Sequence, residues 1–485
     1  MTRYTSENLR NIVLLSHPGA GKTAIGEAML FTSGATTRLG RVEDGNTVSD
    51  YEPEEIKRNS SIQTSLLPFE WNGTKVNVLD APGYADFAGE TASAMRVADA
   101  AVLVISAPSG VEVGTEQMWR RIQETSLPCI IFINQMDKDR ADFQETLGSL
   151  RERLGTHCIA LAVPIGSERE FKGVVNVMDG GDVPAEAQET ATSAHERLIE
   201  AVAETNDELA TLYLEGNALD PEKIQHGLKE AIISGSIVPV LVGSATQPSG
   251  IRELMDAIVK FLPSPVELPP IKATLASSEN SEKKITCNVD GPPAALVFKT
   301  TADPFVGKLS YFRVYSGTFK SNTEVWNVNR GQTERLAQLF VPRGKSQDTV
   351  PSLVVGDIGA IGKLTVSGTG DTLGQREHPL TLEGLEFPPP TFTLTVAPKA
   401  KADSDKMGTA LARLVEEDPS LRFTRDNDTG DSLLSGLGDT HIEVAIQRAQ
   451  RKFSVNLLTE TPRVPYKETI TNTARIEHRH KQQSG

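Results

Sequence analysis

The sequence predicts a multidomain α/β protein: a parallel-sheet domain with a phosphate-binding loop and an insertion, then a β-barrel, then a ferredoxin-like α+β domain. Three observations predict it. Short apolar runs alternate with helical patterns through the first part, the pattern of βαβ units. β-branched runs broken at short intervals by glycine follow, as in closed all-β folds. The last part reads strand, helix, strand, strand, helix, strand.

In the first part, strands are expected at 12–15, 66–71, 76–79, 101–106, 130–134 and 238–242. Several are apolar at every position, as when helices cover both faces of a parallel sheet. A polar, helix-rich stretch over 166–236 is too long for a simple crossover and is expected to be an inserted subdomain. Residues 263–284, rich in Pro, Ser and Glu, read as a linker after a helix over 251–261. From Ala294 to about Leu385, glycines at 307, 317, 331, 356, 359 and 362 punctuate the barrel, and Pro388, Pro389 and Pro390 end it. A strand at 392–396 then precedes a helix whose one face is Met407, Leu411, Leu414 and Val415. Two short strands follow, then a helix carrying Ile442, Ala445, Ile446, Ala449 and Phe453, then a strand at 455–458. The expected bounds are 1–265 for the first domain, 266–388 for the barrel and 389–463 for the third domain, with 464–485 opening a fourth.

The chain of 485 residues exceeds what one core serves, which fits several domains. Hydrophobic residues at 38% and charged residues at 23% match ordinary globular usage and exclude a fibrous or wholly disordered chain. No apolar run approaches the roughly 18 residues that a membrane span needs, and Arg3 and Arg10 precede an apolar run too short for a signal peptide. The three cysteines, Cys129, Cys158 and Cys287, are unpaired in pattern, so a cytoplasmic home is expected. A net charge of -15 speaks against binding nucleic acid over most of the surface, and no DNA or membrane partner is expected. From Arg448 onward the balance reverses, with Arg451, Lys452, Arg463, Lys467, Arg475, Arg479 and Lys481 outnumbering the acids, which makes the tail a candidate contact region. His478 and His480 lack the further ligands of a zinc site.

The chemistry begins where the first strand runs into Ser16-His17-Pro18-Gly19-Ala20-Gly21-Lys22-Thr23, a near match to GxxxxGK[ST] between a strand and a helix. Glycines let backbone amides converge on phosphate oxygens, and the helix N-terminus favours anionic charge. Lys22 would meet the β- and γ-phosphates, and the Thr23 hydroxyl would ligate Mg²⁺. Ser16 stands where the pattern has glycine, so its φ must be negative or its strain tolerated. Asp80-Ala81-Pro82-Gly83 follows another strand; Asp80 can hold Mg²⁺ through water, and the Gly83 amide can meet the γ-phosphate. Asn134-Gln135-Met136-Asp137 is similar to the NKxD guanine-recognition element, in which the aspartate accepts from guanine N1 and N2; adenine lacks that donor pair. Gln135 replaces the lysine whose stem covers the base, which predicts weaker nucleotide affinity. Gly243-Ser244-Ala245 resembles the SA element, placing Ser244 and Ala245 near guanine O6.

With these elements in place, the chain resembles the translational GTPases, and among them elongation factor G, from about Asn8 to Gly485. Gly83-Tyr84-Ala85-Asp86-Phe87, LAVPIGSEREFKGV from Leu161, Phe261-Leu262-Pro263-Ser264-Pro265, Glu416-Glu417-Asp418-Pro419 and Ser435-Gly436-Leu437-Gly438-Asp439 carry the likeness. The resemblance implies a P-loop GTPase domain using GTP/GDP and Mg²⁺, and a third domain resting on ribosomal RNA and protein at the factor-binding site. A monomer is expected. The family's RGITI segment appears as Arg58-Asn59-Ser60-Ser61-Ile62, which makes Ser61 a Mg²⁺ ligand beside Thr23 and Asp80. Tyr84 takes the place of the histidine that orients the attacking water, so Lys22 and Tyr84 are the catalytic candidates. Tyrosine can donate to water but is a poor base at neutral pH. Gly19 replaces an aspartate found in many members, as in a subgroup of elongation factor G paralogues.

The tail Lys481-Gln482-Gln483-Ser484-Gly485 resembles the opening of the family's fourth domain, so the polypeptide as given is expected not to translocate. The competing expectations are a release-factor-3-type GTPase and a GTP-dependent module that occupies the ribosome with little hydrolysis. The motif LSGLGDTHIEV from Leu434 favours elongation factor G over the former.

Overall fold

Nine strands build the first domain among the described residues: β1 (Leu9–Ser16), β2 (Ser65–Trp71), β3 (Thr74–Asp80), β4 (Ala100–Ser106), β5 (Cys129–Asn134), β6 (Cys158–Ala160), β7 (Ala162–Ile165), β8 (Gly173–Asn176) and β9 (Val238–Val242). The structure is a computed structural model that describes residues 4–155, 157–178, 183–215, 220–275, 282–303 and 307–479. Arg3, His480, the run 481–485 and part of the expected linker, 276–281, lie outside the described residues.

Seven strands form one sheet in the order β2-β3-β1-β4-β5-β9-β6. All neighbours are parallel except β2, which pairs antiparallel with β3. The expectation that β2 belongs to a parallel βαβ unit is therefore corrected. Asn72 and Gly73 join the two strands with positive φ at both positions, the turn that a right-handed twist favours in a tight hairpin. β6 is a further correction; three residues at the sheet edge are too few to show a pattern.

Burial explains the strand lengths. β1, β4, β5 and β9 are buried at every position, because helices α1 (Lys22–Thr32), α2 (Pro53–Arg58), α3 (Ala88–Val97), α4 (Val113–Thr125) and α5 (Phe143–Leu154) follow or flank them. β1 starts earlier than its apolar run and buries Arg10 and Asn11. Arg10 donates to the carbonyls of Glu7, Leu9 and Val259, and Asn11 donates to Asp99 and the Gly356 carbonyl. A buried polar side chain is tolerated when such partners replace water. Between β6 and β9 lie the antiparallel β7–β8 hairpin and helices α6 (Gln188–Glu204), α7 (Asp207–Leu214) and α8 (Pro221–Ser234). Helix α9 (Ile251–Phe261) buries Ile251, Leu254, Met255, Ile258 and Phe261 on one face.

The second domain is β-rich. Its eight-stranded antiparallel sheet is built around Val297, Phe312, Phe319, Leu339, Leu353 and Leu373. In the third domain, strands Phe392–Pro398, Arg422–Arg425, Ser432–Gly436 and Leu457–Glu460 form one antiparallel sheet with the first strand in the interior of the order. Helices α10 (Lys401–Glu417) and α11 (Asp439–Phe453) complete the expected βαββαβ order around Val396, Leu411, Leu414, Leu434 and Ile442.

Buried polar pairs join the domains. Lys75 Nζ lies 2.7 Å from Asp357 Oδ1, and Arg313 pairs with Asp99 while also donating to the Val97 carbonyl. Removing one partner of such a pair strands a buried charge at a cost of about 3 to 5 kcal/mol. Lys299 bridges Glu90 and the Thr64 carbonyl. From the third domain, Arg451 pairs with Glu52 and Glu54, and Arg58 pairs with Glu443. Four of the cations expected to form a basic contact region are thus paired within the chain: Arg451, Lys452 with Glu417, Arg463 with Asp431, and Lys467 with Asp428.

Candidate functional site

The strand ends β1, β3, β5 and β9 open on one edge of the sheet, which is where ligands bind in open α/β folds. The loop after β1 turns through Gly19 and Gly21, with φ of 85° and 90°, before α1 begins at Lys22. A Cβ on Gly21 would collide with the Asn134 amide, so only glycine lets the loop pass that close to β5. Ser16 is absent from the positive-φ residues, so its substitution for glycine introduces no left-handed strain. Its hydroxyl instead accepts from Lys22 Nζ at 2.9 Å. His17 Nε2 reaches Glu112 Oε1 at 3.4 Å, tying the loop to the start of α4.

Three residues expected at the metal meet here. Thr23 Oγ1 donates to Asp80 Oδ2 at 3.0 Å and lies 3.0 Å from Ser61 Oγ. All three are buried, as is Lys22. Burial lowers the Lys22 ammonium pKa against the opposing pull of Asp80 and Asp50, and burial raises the Asp80 carboxyl against Lys22 and the Thr23 hydrogen bond. A Cβ at Gly83 would lie 2.7 Å from Lys22 Nζ and 3.2 Å from the Pro18 nitrogen, so the Gly83 backbone closes on the phosphate loop without a side chain between.

Sequence reasoning missed Asp50. Its carboxylate is buried beside Asp80, Lys22 and Ser61. Burial, then the charge of Asp80, push the Asp50 carboxyl up to about 7, with Ser61 and Lys22 opposing. Nothing in its sequence neighbourhood marks it, because the signal is spatial. Two carboxylates thus face one ammonium in a buried pocket. An added cation would relieve that imbalance. Among the described residues no group of three His, Cys, Asp or Glu side chains could hold a metal alone. The available donors are hydroxyls and carboxylates, the oxygen set that hard Mg²⁺ takes together with substrate phosphates.

At the other end, Asn134 is buried; its Nδ2 donates to the Ala20 carbonyl and its Oδ1 accepts from Ala245 N, both near 3 Å. It welds the phosphate loop, β5 and the loop after β9. Gln135, with φ of 68°, donates to the Gly19 carbonyl at 3.0 Å and accepts from Ser106 Oγ at 2.8 Å. Asp137 Oδ2 accepts from Thr246 Oγ1 at 2.8 Å, while Oδ1 is buried without a partner. Ser244 Oγ, 3.0 Å from Thr246 Oγ1, completes a hydroxyl relay that the sequence had not revealed. The structure thus assembles Ser16 to Thr23, Ser61, Asp80, Gly83, Asn134, Gln135, Asp137, Ser244 and Ala245 around one cleft. Tyr84 sits beside it, half exposed, its hydroxyl without a hydrogen-bond partner among the described residues.

Comparison with known proteins gives the family of each domain. Residues 7–264 match the family model of the elongation factor Tu GTP binding domain, residues 292–376 that of elongation factor G domain 2, and residues 387–461 that of Elongation Factor G, domain III. The chain belongs to the elongation factor G-like translational GTPases. It is similar to a Thermus thermophilus protein solved by crystallography, with a TM-score of 0.84 and 33% identity over 94% of this chain and 68% of that one. GTPase domains of this family bind GTP and GDP and hydrolyse GTP, so this factor is a GTP-binding protein of the translation-factor kind. Ile62 and Phe87, in the segments that follow Ser61 and Gly83, pack with Val444 of α11 in one small apolar cluster. Among the described residues no helix is long and apolar enough to cross a membrane.

Proposed function

We propose that this factor binds GTP with Mg²⁺, hydrolyses it, and acts on the ribosome in translation elongation. The observation that carries the reading is the meeting of Thr23, Ser61 and Asp80 beside Lys22, while an unpartnered Asp137 oxygen waits at the far end of the cleft. Amides of the loop Ser16 to Gly21 would cup the phosphates, and Lys22 would leave Ser16 to meet the β- and γ-phosphates. Thr23, Ser61 and Asp80 would hold Mg²⁺, which when bound neutralises charge on the β- and γ-phosphate oxygens. The Gly83 amide would meet the γ-phosphate, and its departure after hydrolysis would release the loops near Ser61 and Gly83. Asp137 would accept from guanine N1 and N2, with Ser244 and Ala245 near O6 and Gln135 flanking the base.

Tyr84 would donate to the attacking water rather than deprotonate it; positioning and charge stabilisation dominate phosphoryl transfer, so a donor suffices. Its exposed, unpartnered hydroxyl also supports the second reading, a GTP-dependent ribosome-binding module with little hydrolysis. The domain bounds 1–265, 266–388 and 389–463, a cytoplasmic monomer, and contact with ribosomal RNA and protein at the factor-binding site belong to the same proposal.

Single-turnover GTP hydrolysis with and without ribosomes tests it. Stimulation by ribosomes is expected, with Tyr84→Phe lowering the stimulated rate about 10-fold or more. No stimulation of the wild-type protein would favour the binding module instead.

A further inference from the structure

We propose that Glu55 is the residue that positions Ser61 for the Mg²⁺ of a bound triphosphate, a reading that rests on Ser61 being a ligand of that ion. Glu55 lies in α2 and is fully buried, with 0% exposure. Its carboxylate Oε1 accepts from the backbone amides of Ile62 at 3.0 Å and Gln63 at 3.1 Å. Its main-chain carbonyl accepts from Ser60 N at 3.2 Å. One residue therefore holds the chain on both sides of Ser61.

The local backbone makes this bracket necessary. Helix α2 ends at Asn59 in the left-handed region, φ 50°, so the chain reverses within two residues of its last turn. After such a reversal nothing in the helix fixes where residue 61 points. The two amide bonds to Oε1 supply that fixation, and Ile62 then buries its side chain against Phe87 and Val444. The Ser61 hydroxyl is left facing Thr23 at 3.0 Å.

A carboxyl group is an expensive choice for so buried a position, since a leucine there would pack without desolvating a charge. Leucine would, however, leave the Ile62 and Gln63 amides unpaired. Burial and the charge of Asp50 push the Glu55 carboxyl up to about 8, and either protonation state leaves Oε1 able to accept both amides. Oε2 separately accepts from Glu52 N at 3.1 Å, closing the capping box of α2. The two oxygens thus serve two purposes: one caps a helix, the other anchors the segment that follows Ser61.

That division can be tested by measuring equilibrium affinities for GDP and for a non-hydrolysable GTP analogue, both with Mg²⁺, on the full chain. Glu55→Ala is expected to weaken the analogue about 10-fold or more while GDP changes less than about 2-fold, because a segment ordered by the γ-phosphate matters only to the triphosphate. Glu55→Asp, whose shorter stem fails to reach both amides, is expected to show the same selectivity and serves if the alanine variant does not fold. Glu55→Gln keeps an acceptor for both amides and loses only the cap, so it should retain the analogue within about 3-fold while unfolding at a slightly lower temperature. Equal weakening of both nucleotides by the alanine and aspartate variants, or no weakening by either, would overturn the assignment. Ser61→Ala is the control: selectivity there without selectivity at Glu55 refutes Glu55 alone, whereas loss of selectivity at both refutes the Mg²⁺ reading beneath it.

Discussion

At the proposed phosphate end of the cleft, Lys22, Thr23, Ser61 and Asp80 are all buried and hydrogen-bonded to one another or to the loop, whereas at the proposed base end Gln135 and Asp137 are only partly buried. The phosphate end concentrates charge in a buried pocket, so each group there depends on the others for its solvation. The base end is assembled from three loops that meet through amide hydrogen bonds of Asn134 and Gln135 and through the Thr246 hydroxyl, which donates to the Asp137 carboxylate. Departures from the family pattern follow that difference. At the phosphate end Ser61 keeps a hydroxyl with a partner, and Ser16, in place of glycine, adds one that accepts from Lys22. At the base end Gln135 replaces a covering lysine stem by two hydrogen bonds that brace the loop.

Breaking the phosphate end should have the largest effect. Lys22→Ala leaves Asp50 and Asp80 without their ammonium, and triphosphate affinity measured by calorimetry is expected to fall about 100- to 1000-fold. A fall below about 10-fold would mean that the buried charges are not organised around a ligand. At the base end, Asp137→Asn should exchange specificity rather than abolish binding: the amide can donate to the C2 carbonyl of xanthine where the carboxylate accepted from the guanine amine. Competition between GTP and xanthosine triphosphate is expected to shift by about 100-fold, from two mispaired hydrogen bonds.

Two milder changes sharpen the contrast. Thr246→Val frees Asp137 from its hydroxyl partner and should weaken GTP about 3- to 10-fold, while a threonine elsewhere on the surface should change nothing. Gln135→Lys restores a longer stem over the base but gives up the brace to Gly19 and Ser106. A gain of a few-fold in GTP affinity would show that stem coverage outweighs the brace, and a loss would show the reverse.

The smallest expected effect lies outside the cleft. Burial is the largest influence on the Asp418 carboxyl and would raise it, but the His441 hydrogen bond at 2.8 Å, the His441 charge and the two Ser420 hydrogen bonds together hold it below the ordinary range. A depressed carboxyl contributes stability above its unfolded value of about 3.9 and loses it as pH falls through the folded value. Thermal unfolding should therefore separate wild type from Asp418→Asn at neutral pH, and the two should converge well below about pH 4. Because His441 meets Phe87 edge-on, the same joint ties the third domain to the loop after Gly83.

How much of this could be read in the sequence depended on whether the cause was local. The fully apolar cores of β4, β5 and β9 and the glycine pattern of the phosphate loop are local, and both were legible. The start of β1 was not, because Arg10 and Asn11 are made tolerable by Val259 and Gly356, far away in sequence. The direction of β2 was legible in principle: Asn72-Gly73 between two apolar runs is a hairpin signal that outweighs the βαβ expectation. Asp50 and Thr246 carry no local mark at all, and each acquires its role only when Asp80 or Asp137 is brought beside it.

Equilibrium binding of GTP and ATP to the purified protein, each with and without Mg²⁺, tests most directly whether the two ends work as one site. Tight GTP binding that weakens by at least about 10-fold on removing Mg²⁺, with ATP weak in both conditions, is expected. Equal uptake of ATP and GTP, or GTP binding indifferent to Mg²⁺, would contradict it.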